Sequence, residues 1–465
     1  MKVLLVTPNL MGDKGKPTAP PSGFAYIASV LLKHKHEVDV CDMRVNNKWN
    51  NLARMIMKFR PDIIGIGFMS KEYLKSYELV NKIKKEFPGM KVIVGGPHAS
   101  MIGKKILEEC NADCAVVGEG EYTFLELCDN KIQLKFIKGL IWRIKDTIIE
   151  NELRPFNDDL DSLPFPAYEL WDMNSYVDKK IPIVSSRGCP AQCIYCAMKK
   201  IMGATWRFRS AENVYEEIKY FYDKGYKFFH IVDDNFTMNI ERAEKICDMI
   251  IKNKLNIKFD LRNGIRVDRV SEKLLTKIKD AGCFFLAYGM EHLDNDVLKQ
   301  MKKGTTREKA LEAAELTKKI GIPFSAFFMI GLPGDTMEKF EEEFKLIDEM
   351  GLNEAKFSNV IPFPGTELYD MIEKNGSLLR PTEDYLNNSS KINNDPIYDY
   401  PGFSIEEKKK ALKIGQNFMI KRLAKKEFGV VLGTIGYWLW QIKPLRKVLI
   451  KPASELWAFI RRRKR

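Results

Sequence analysis

The 465-residue sequence contains no run of the ~18 consecutive apolar residues that a membrane-spanning helix needs. Its opening, MKVLLVTPNL, is too short for a secretory signal and reads as a first β-strand. Neither G-x-G-x-x-G nor G-x-x-x-x-G-K-[ST] occurs, so a dinucleotide fingerprint or a P-loop is not indicated. Histidine is scarce, at five residues, which leaves few imidazoles for a metal. Of nine cysteines, Cys41, Cys110, Cys114, Cys128, Cys247 and Cys283 are scattered rather than paired in a disulfide pattern. A reducing cytoplasm is the expected compartment.

What is present is ordinary for a globular chain with a sizeable core: 45% apolar and 29% charged residues. At roughly 150 residues per domain the length suits three units, or two large ones. The net charge of +13 is concentrated at one end, because residues 441–465 hold nine Lys/Arg against one Glu, a net +8 that leaves +5 for the rest. The basic character is a property of the tail, not of the body.

Residues 1–130 alternate short β-branched runs (2–7, 37–41, 62–68, 91–94 and 113–117) with amphipathic stretches. That rhythm predicts a doubly wound parallel sheet, whose ligands bind beyond the carboxyl ends of the strands. The turns there are Thr7-Pro8-Asn9, Met69-Ser70, Gly95-Gly96-Pro97-His98 and Gly118-Glu119-Gly120-Glu121. Their glycines admit a large flat or phosphate-bearing ligand close to the backbone, or simply make ordinary βα turns. Residues 136–180 break the rhythm with a hairpin and a segment rich in Pro, Asp and aromatics, expected to pack as a linker across a surface. From 181 the alternation restarts, with strands expected at 183–186, 227–232, 257–261, 283–288, 324–330 and 354–360. Six strand–helix units fit a partial barrel of the TIM type, with working residues at the carboxyl ends of its strands.

Just after the first of these strands, SRGCPAQCIYCA places Cys189, Cys193 and Cys196 at C-x3-C-x2-C spacing. Three thiolates on one short loop can converge on an inorganic centre and leave one coordination position open. A zinc site would need a fourth ligand, yet no second C-x2-C appears and no histidine lies within thirty residues of Cys196.

This loop resembles the cluster loop of the radical S-adenosylmethionine (radical SAM) superfamily. IVDDNFT (231–237), YGMEH (288–292), IGLPGDT (330–336) and PFPGTELYD (362–370) are similar to strand-end signatures of its cobalamin-associated branch. KVLLVTPN, PPSGFAYIASVL, PDIIGIGF, VIVGGPH and VVGEGE likewise resemble the cobalamin-binding domain that precedes such barrels. The resemblance covers about residues 1–375. It implies an α/β chain with a cobalamin-binding-like Rossmann sheet at 1–135, a linker at 136–180 and a partial (β/α)6 barrel at 181–375. A helical, basic extension at 376–465 follows.

Carried over by resemblance, Cys189, Cys193 and Cys196 hold a [4Fe–4S] cluster whose fourth iron takes S-adenosylmethionine. One electron from such a cluster splits the sulfonium bond and yields a radical able to attack unactivated C–H bonds. Tyr195, Asp233, Asp234 and Glu291 are the residues placed to contact S-adenosylmethionine. Loop packing for Tyr195 and helix capping for the aspartates are the plain structural alternatives. Arg262 and Arg266 are candidates to pair with a carboxylate in the barrel or to form salt bridges facing solvent. For cobalamin the matching positions are Ser70, Gly95, Gly96, His98, Gly118 and Glu119. The segment lacks the D-x-H-x-x-G motif that ligates cobalt from below, so a lower face without a histidine ligand is expected. His98 is equally suited to a buried turn.

The implied activity is cobalamin-dependent methyl transfer to an unactivated carbon of a small-molecule or lipid substrate, with an electron donor such as ferredoxin or flavodoxin. Alternatives are radical C–C bond formation or cyclisation without a methylated cobalamin, and a cobalamin- or metal-binding sensor without turnover. A helix near 405–427 is followed by an apolar, glycine-containing stretch at 428–440 and the basic tail. Residues 428–465 suit peripheral contact with an anionic membrane or a terminal hairpin packed on the barrel, and no nucleic acid is expected.

Overall fold

Val3, Leu4, Leu5 and Val6 point alternately to opposite faces, yet none is more than 1% exposed, as in a strand covered on both sides. This strand is β1 (Lys2–Thr7) of a computed structural model that describes residues 1–9, 17–71, 73–129, 131–388 and 395–422. With β2 (Glu37–Asp42), β3 (Ile63–Gly67), β4 (Lys91–Gly95) and β5 (Cys114–Val116) it forms a parallel sheet. The hairpin of β6 (Leu140–Ile144) and β7 (Thr147–Glu150) adds antiparallel to β5, giving the order β2-β1-β3-β4-β5-β6-β7. Sequence reading set this hairpin in the linker, because two short strands carry no local mark of the sheet they join. Helix Ser22–Lys33 covers one face and helices Trp49–Phe59 and Tyr73–Glu86 the other.

The linker aromatics are buried. Tyr168 is 1% exposed and donates its hydroxyl to the Pro182 carbonyl at 2.9 Å, while the Tyr176 hydroxyl donates to Asp42 at 2.7 Å. Full burial of such rings contributes about 1.5–3 kcal/mol each.

The second sheet comprises β8 (Ile181–Ile183), β11 (Phe228–Ile231), β12 (Lys258–Ile265), β13 (Cys283–Glu291), β14 (Phe324–Ile330) and β15 (Glu354–Asn359). These six strands are parallel and lie in the order β15-β14-β13-β12-β11-β8. β8 ends earlier than its apolar run predicts. Ser186–Arg187 (β9) instead pairs antiparallel with Arg207–Phe208 (β10). The intervening helices start at side-chain caps: Ser210, Asn239, Ser271, Thr306 and Thr336 each accept a backbone N–H of the first turn.

Residues 405–422 are helical and pack Phe418 against Phe344, with ring centroids 5.0 Å apart. The predicted apolar stretch and basic tail at 428–465 lie outside the described residues. Among those described, no helix is long and apolar enough to cross a membrane.

Candidate functional site

The cysteine loop leaves β9 at Gly188, whose φ of +81° is in the left-handed region. A Cβ there would lie 2.4 Å from the Thr205 carbonyl oxygen, so only glycine fits this turn. Downstream, the Ile194 N–H donates to the Met301 carbonyl at 3.1 Å and the Ile194 carbonyl accepts from Leu368 at 3.0 Å. The Ile194 side chain is 2% exposed, so the segment between Cys193 and Cys196 is pinned to the barrel by both backbone and packing.

Cys189, Cys193 and Cys196 are half-buried and form one wall of a cavity of about 280 Å³. Burial pushes the Cys189 and Cys196 thiols up, Cys196 to about 11, with the neighbouring thiols adding to the shift. A bound cation reverses that preference, because it stabilises the thiolate directly. Among the described residues no three Cys, His, Asp or Glu side chains converge on a point where a single ion would sit. A cluster with its irons at separate corners accepts more widely spread sulfurs than one tetrahedral ion does. The donor set therefore suits a cluster.

The other walls carry charge. Asp233 lines the cavity but is 3% exposed, and its carboxylate accepts the Ser185 N–H at 2.6 Å, the Ser186 hydroxyl at 2.7 Å and the Ser185 hydroxyl. Both its oxygens are committed to holding the strand ahead of the loop. Asp234 is freer: its carboxylate accepts the Gly188 N–H at 3.1 Å, and burial raises its pKa to about 6. Glu291 sits at φ +67°, a conformation that costs a non-glycine residue ~1–3 kcal/mol. A register shift between Gly289 and Glu291 creates that turn and aims the carboxylate into the cavity. A Cβ on Gly289 would come within 2.9 Å of its Oε1.

Sequence reading missed the partner of Glu291. The Lys303 ammonium, 7% exposed, donates to Glu291 Oε1 at 3.1 Å and to the Tyr195 hydroxyl at 3.3 Å. A cation and a carboxylate thus stand together in the lining of the same cavity as the cysteines. Arg266 is occupied by Asp268 at 2.9 Å and by the Lys303 and Gly304 carbonyls. His292, 1% exposed, ties the two late signatures together, with Nε2 3.2 Å from Asp335 and Nδ1 3.1 Å from Glu343.

At the carboxyl edge of the N-terminal sheet, Gly96 has φ +93° and a Cβ there would meet the Phe68 carbonyl oxygen at 2.8 Å. The Gly118 N–H donates to Ser100 Oγ at 3.0 Å, and Gly95 packs beside Val116. His98 is 1% exposed and stacks on Tyr73, with centroids 4.3 Å apart. Its Nε2 faces the Tyr77 hydroxyl at 2.9 Å and its Nδ1 faces Ser70 Oγ at 3.1 Å. Both nitrogens are used, and burial lowers its pKa to about 4. Of the expected cobalamin contacts, His98 and Ser70 are thus bound to each other and turned inward. Glu119 points at the barrel: its carboxylate accepts from Arg187 at 2.9 Å, from Arg207 at 2.8 Å and from the Asn157 N–H at 2.7 Å. Arg187 also donates to Glu121 at 2.7 Å. A buried ion network therefore joins the Gly118–Glu121 turn to the residue two places before Cys189.

The Radical SAM superfamily model matches residues 183–347 and the B12 binding domain model residues 8–128. The chain is 31% identical over 429 residues to an uncharacterized methyltransferase of Pyrococcus horikoshii, covering 89% of this chain and 91% of that one. It is 25% identical over 432 residues to the cytidylyl-2-hydroxyethylphosphonate methyltransferase of Streptomyces wedmorensis, covering 79% and 80%. In fold it is similar to the radical S-adenosylmethionine methyltransferase TsrM from Kitasatospora setae, solved with cobalamin and a [4Fe–4S] cluster bound. That likeness has a TM-score of 0.74 at 17% identity over 89% of this chain and 90% of that one. With a B12-binding sheet ahead of a radical SAM barrel, the chain belongs to the cobalamin-binding radical SAM family, whose cofactors are a [4Fe–4S] cluster, S-adenosylmethionine and cobalamin.

Proposed function

We propose that the protein is a cobalamin-dependent radical SAM methyltransferase in which Cys189, Cys193 and Cys196 hold the cluster. The observation that carries this reading is one cavity lined by the three cysteines together with Glu291 and Lys303. The cluster, when bound, supplies the electron that cleaves S-adenosylmethionine to a radical. Lys303, desolvated, suits the carboxylate of the methionine moiety by charge, while Asp234 and Glu291 suit its ammonium. The Tyr195 ring, held by Lys303, walls the cavity against water. Asp233 keeps the loop in register from outside the reacting volume. Residues 1–135 and 181–375 serve as the cobalamin and cluster units, and the Gly95, Gly96, Gly118 edge is where a corrin approaches the backbone. The substrate is a small molecule, and the electron comes from a one-electron donor of the ferredoxin or flavodoxin type.

The test is anaerobic reconstitution with iron, sulfide and hydroxocobalamin, followed by reductant and S-adenosylmethionine. Release of 5′-deoxyadenosine or S-adenosylhomocysteine, together with a cobalamin absorbance that survives gel filtration, is expected. A fully loaded cluster that produces neither nucleoside overturns the reading. Nucleoside release without retained cobalamin favours the radical outcome that needs none.

A further inference from the structure

Among the described residues, seven non-glycine residues have positive φ; six are exposed lysines or arginine, and Glu291 alone is buried. A buried residue keeps such a conformation only where its surroundings over-determine it. On the amino side, the missing Cβ of Gly289 leaves room for the Glu291 carboxylate. On the carboxyl side stands His292, whose ring is engaged at both nitrogens.

His292 Nε2 lies 3.2 Å from Asp335 Oδ1, and Nδ1 lies 3.1 Å from Glu343 Oε2 and 2.9 Å from the Asp294 backbone nitrogen. The same Glu343 oxygen accepts the Leu293 N–H at 2.8 Å, and the other Asp335 oxygen accepts the Gly331 N–H at 2.9 Å. His292 and Asp335 are 1% exposed and Glu343 3%, yet none of the three lines the cysteine cavity. Buried carboxylates are costly to desolvate, and apolar side chains of similar volume hold a core at least as firmly. What apolar burial lacks is direction, whereas hydrogen bonds prefer a narrow range of angles. By bonding to the turn after β14 and to helix Met337–Glu349, His292 fixes the chain one residue beyond Glu291. Glu291 in turn presents Oε1 to the Lys303 ammonium at 3.1 Å, and Lys303 reaches the Tyr195 hydroxyl.

We propose that His292 is a positioning residue for the cofactor. Its clamp on Asp335 and Glu343 holds Glu291 in the left-handed conformation, with the carboxylate against Lys303 and facing the cavity. Without the clamp Glu291 relaxes, the cation and carboxylate lose their fixed spacing, and affinity for S-adenosylmethionine falls. This inference rests on the cysteine cavity being the S-adenosylmethionine site.

The test titrates S-adenosylmethionine by calorimetry into the chain loaded with cluster and cobalamin, without reductant, so that binding is read apart from turnover. His292→Phe keeps a ring and drops its polar contacts. It should weaken binding about tenfold at unchanged iron content, and His292→Gln should restore it to within about threefold of wild type. If His292 acts through Glu291, the loss caused by His292→Phe shrinks to about twofold or less in a Glu291→Gln background. Equal losses in the two backgrounds, or wild-type affinity in His292→Phe, overturn the proposal. Should His292→Phe fail to load iron, Glu343→Gln replaces it in the cycle, with a loss of about threefold that again depends on Glu291. A wild-type chain that binds no S-adenosylmethionine overturns the cofactor-site reading itself, a result distinct from any difference among the variants.

Discussion

Arg187 and Glu119, 68 residues apart in the chain, meet at 2.9 Å in a buried contact that joins β9 to the turn after β5. Glu119 is shared with Arg207, and Arg187 with Glu121, so each charge has two partners. Removing one member leaves the others buried and uncompensated. Glu119→Ala is expected to destabilise the apoprotein by about 3–5 kcal/mol in urea unfolding. The exposed pair Lys309–Glu312 provides the contrast: Lys309→Ala should leave the unfolding curve essentially unchanged. Equal costs for the two would show that the buried network contributes nothing special.

Iron content separates the loop cysteines from the core ones. Cys189→Ser, Cys193→Ser or Cys196→Ser should each abolish the broad visible absorbance of the reconstituted protein. Cys247→Ser and Cys283→Ser, in the barrel core, should retain it where the protein folds. Gly188→Ala is the sharper probe. It keeps all three thiols, yet its methyl meets the Thr205 carbonyl oxygen, so the same loss of iron is expected.

His98 gives the stability a pH dependence of predictable sign. The folded protein holds the imidazole neutral down to about pH 4, whereas an unfolded histidine takes up its proton near 6.5. The stabilisation is therefore complete above about pH 6.5 and is lost as the pH falls toward 4, by up to about 3 kcal/mol. His98→Gln removes this one-proton dependence. Parallel stability–pH curves for the two proteins between pH 4.5 and 6.5 would contradict it.

The same ring bears on cobalt. With Tyr77 and Ser70 on its two nitrogens, His98 offers none to a metal. Cob(II)alamin bound to the protein should give an electron paramagnetic resonance spectrum without histidine nitrogen splitting, unchanged by ¹⁵N-histidine labelling. A labelling-dependent splitting would place an imidazole on the metal.

Much of this was legible in the sequence because its signals are local. Buried parallel strands read as continuous apolar runs such as Val3–Val6, and three ligands on one loop declare themselves by spacing. Glu291 was legible through its position at a strand end. Lys303 was not, because a lysine in MKKGTT looks like part of a solvated face until the fold buries it against Glu291 and Tyr195. Glu119 was singled out as a cobalamin contact. Its engagement with Arg187 and Arg207 depends on two sheets that meet only in the folded chain. His98 was readable either way from GGPHAS alone, and Tyr73, Tyr77 and Ser70 settle its surroundings.

Among the described residues the six-stranded sheet does not close on itself: β15 and β8 are its two borders, and no strand bonds one to the other. A closed barrel gauges its contents by diameter, whereas an open one fixes the reacting end of a molecule against a single wall. An open edge sets no fixed circumference, so diameter alone does not limit what can stand against the cavity wall.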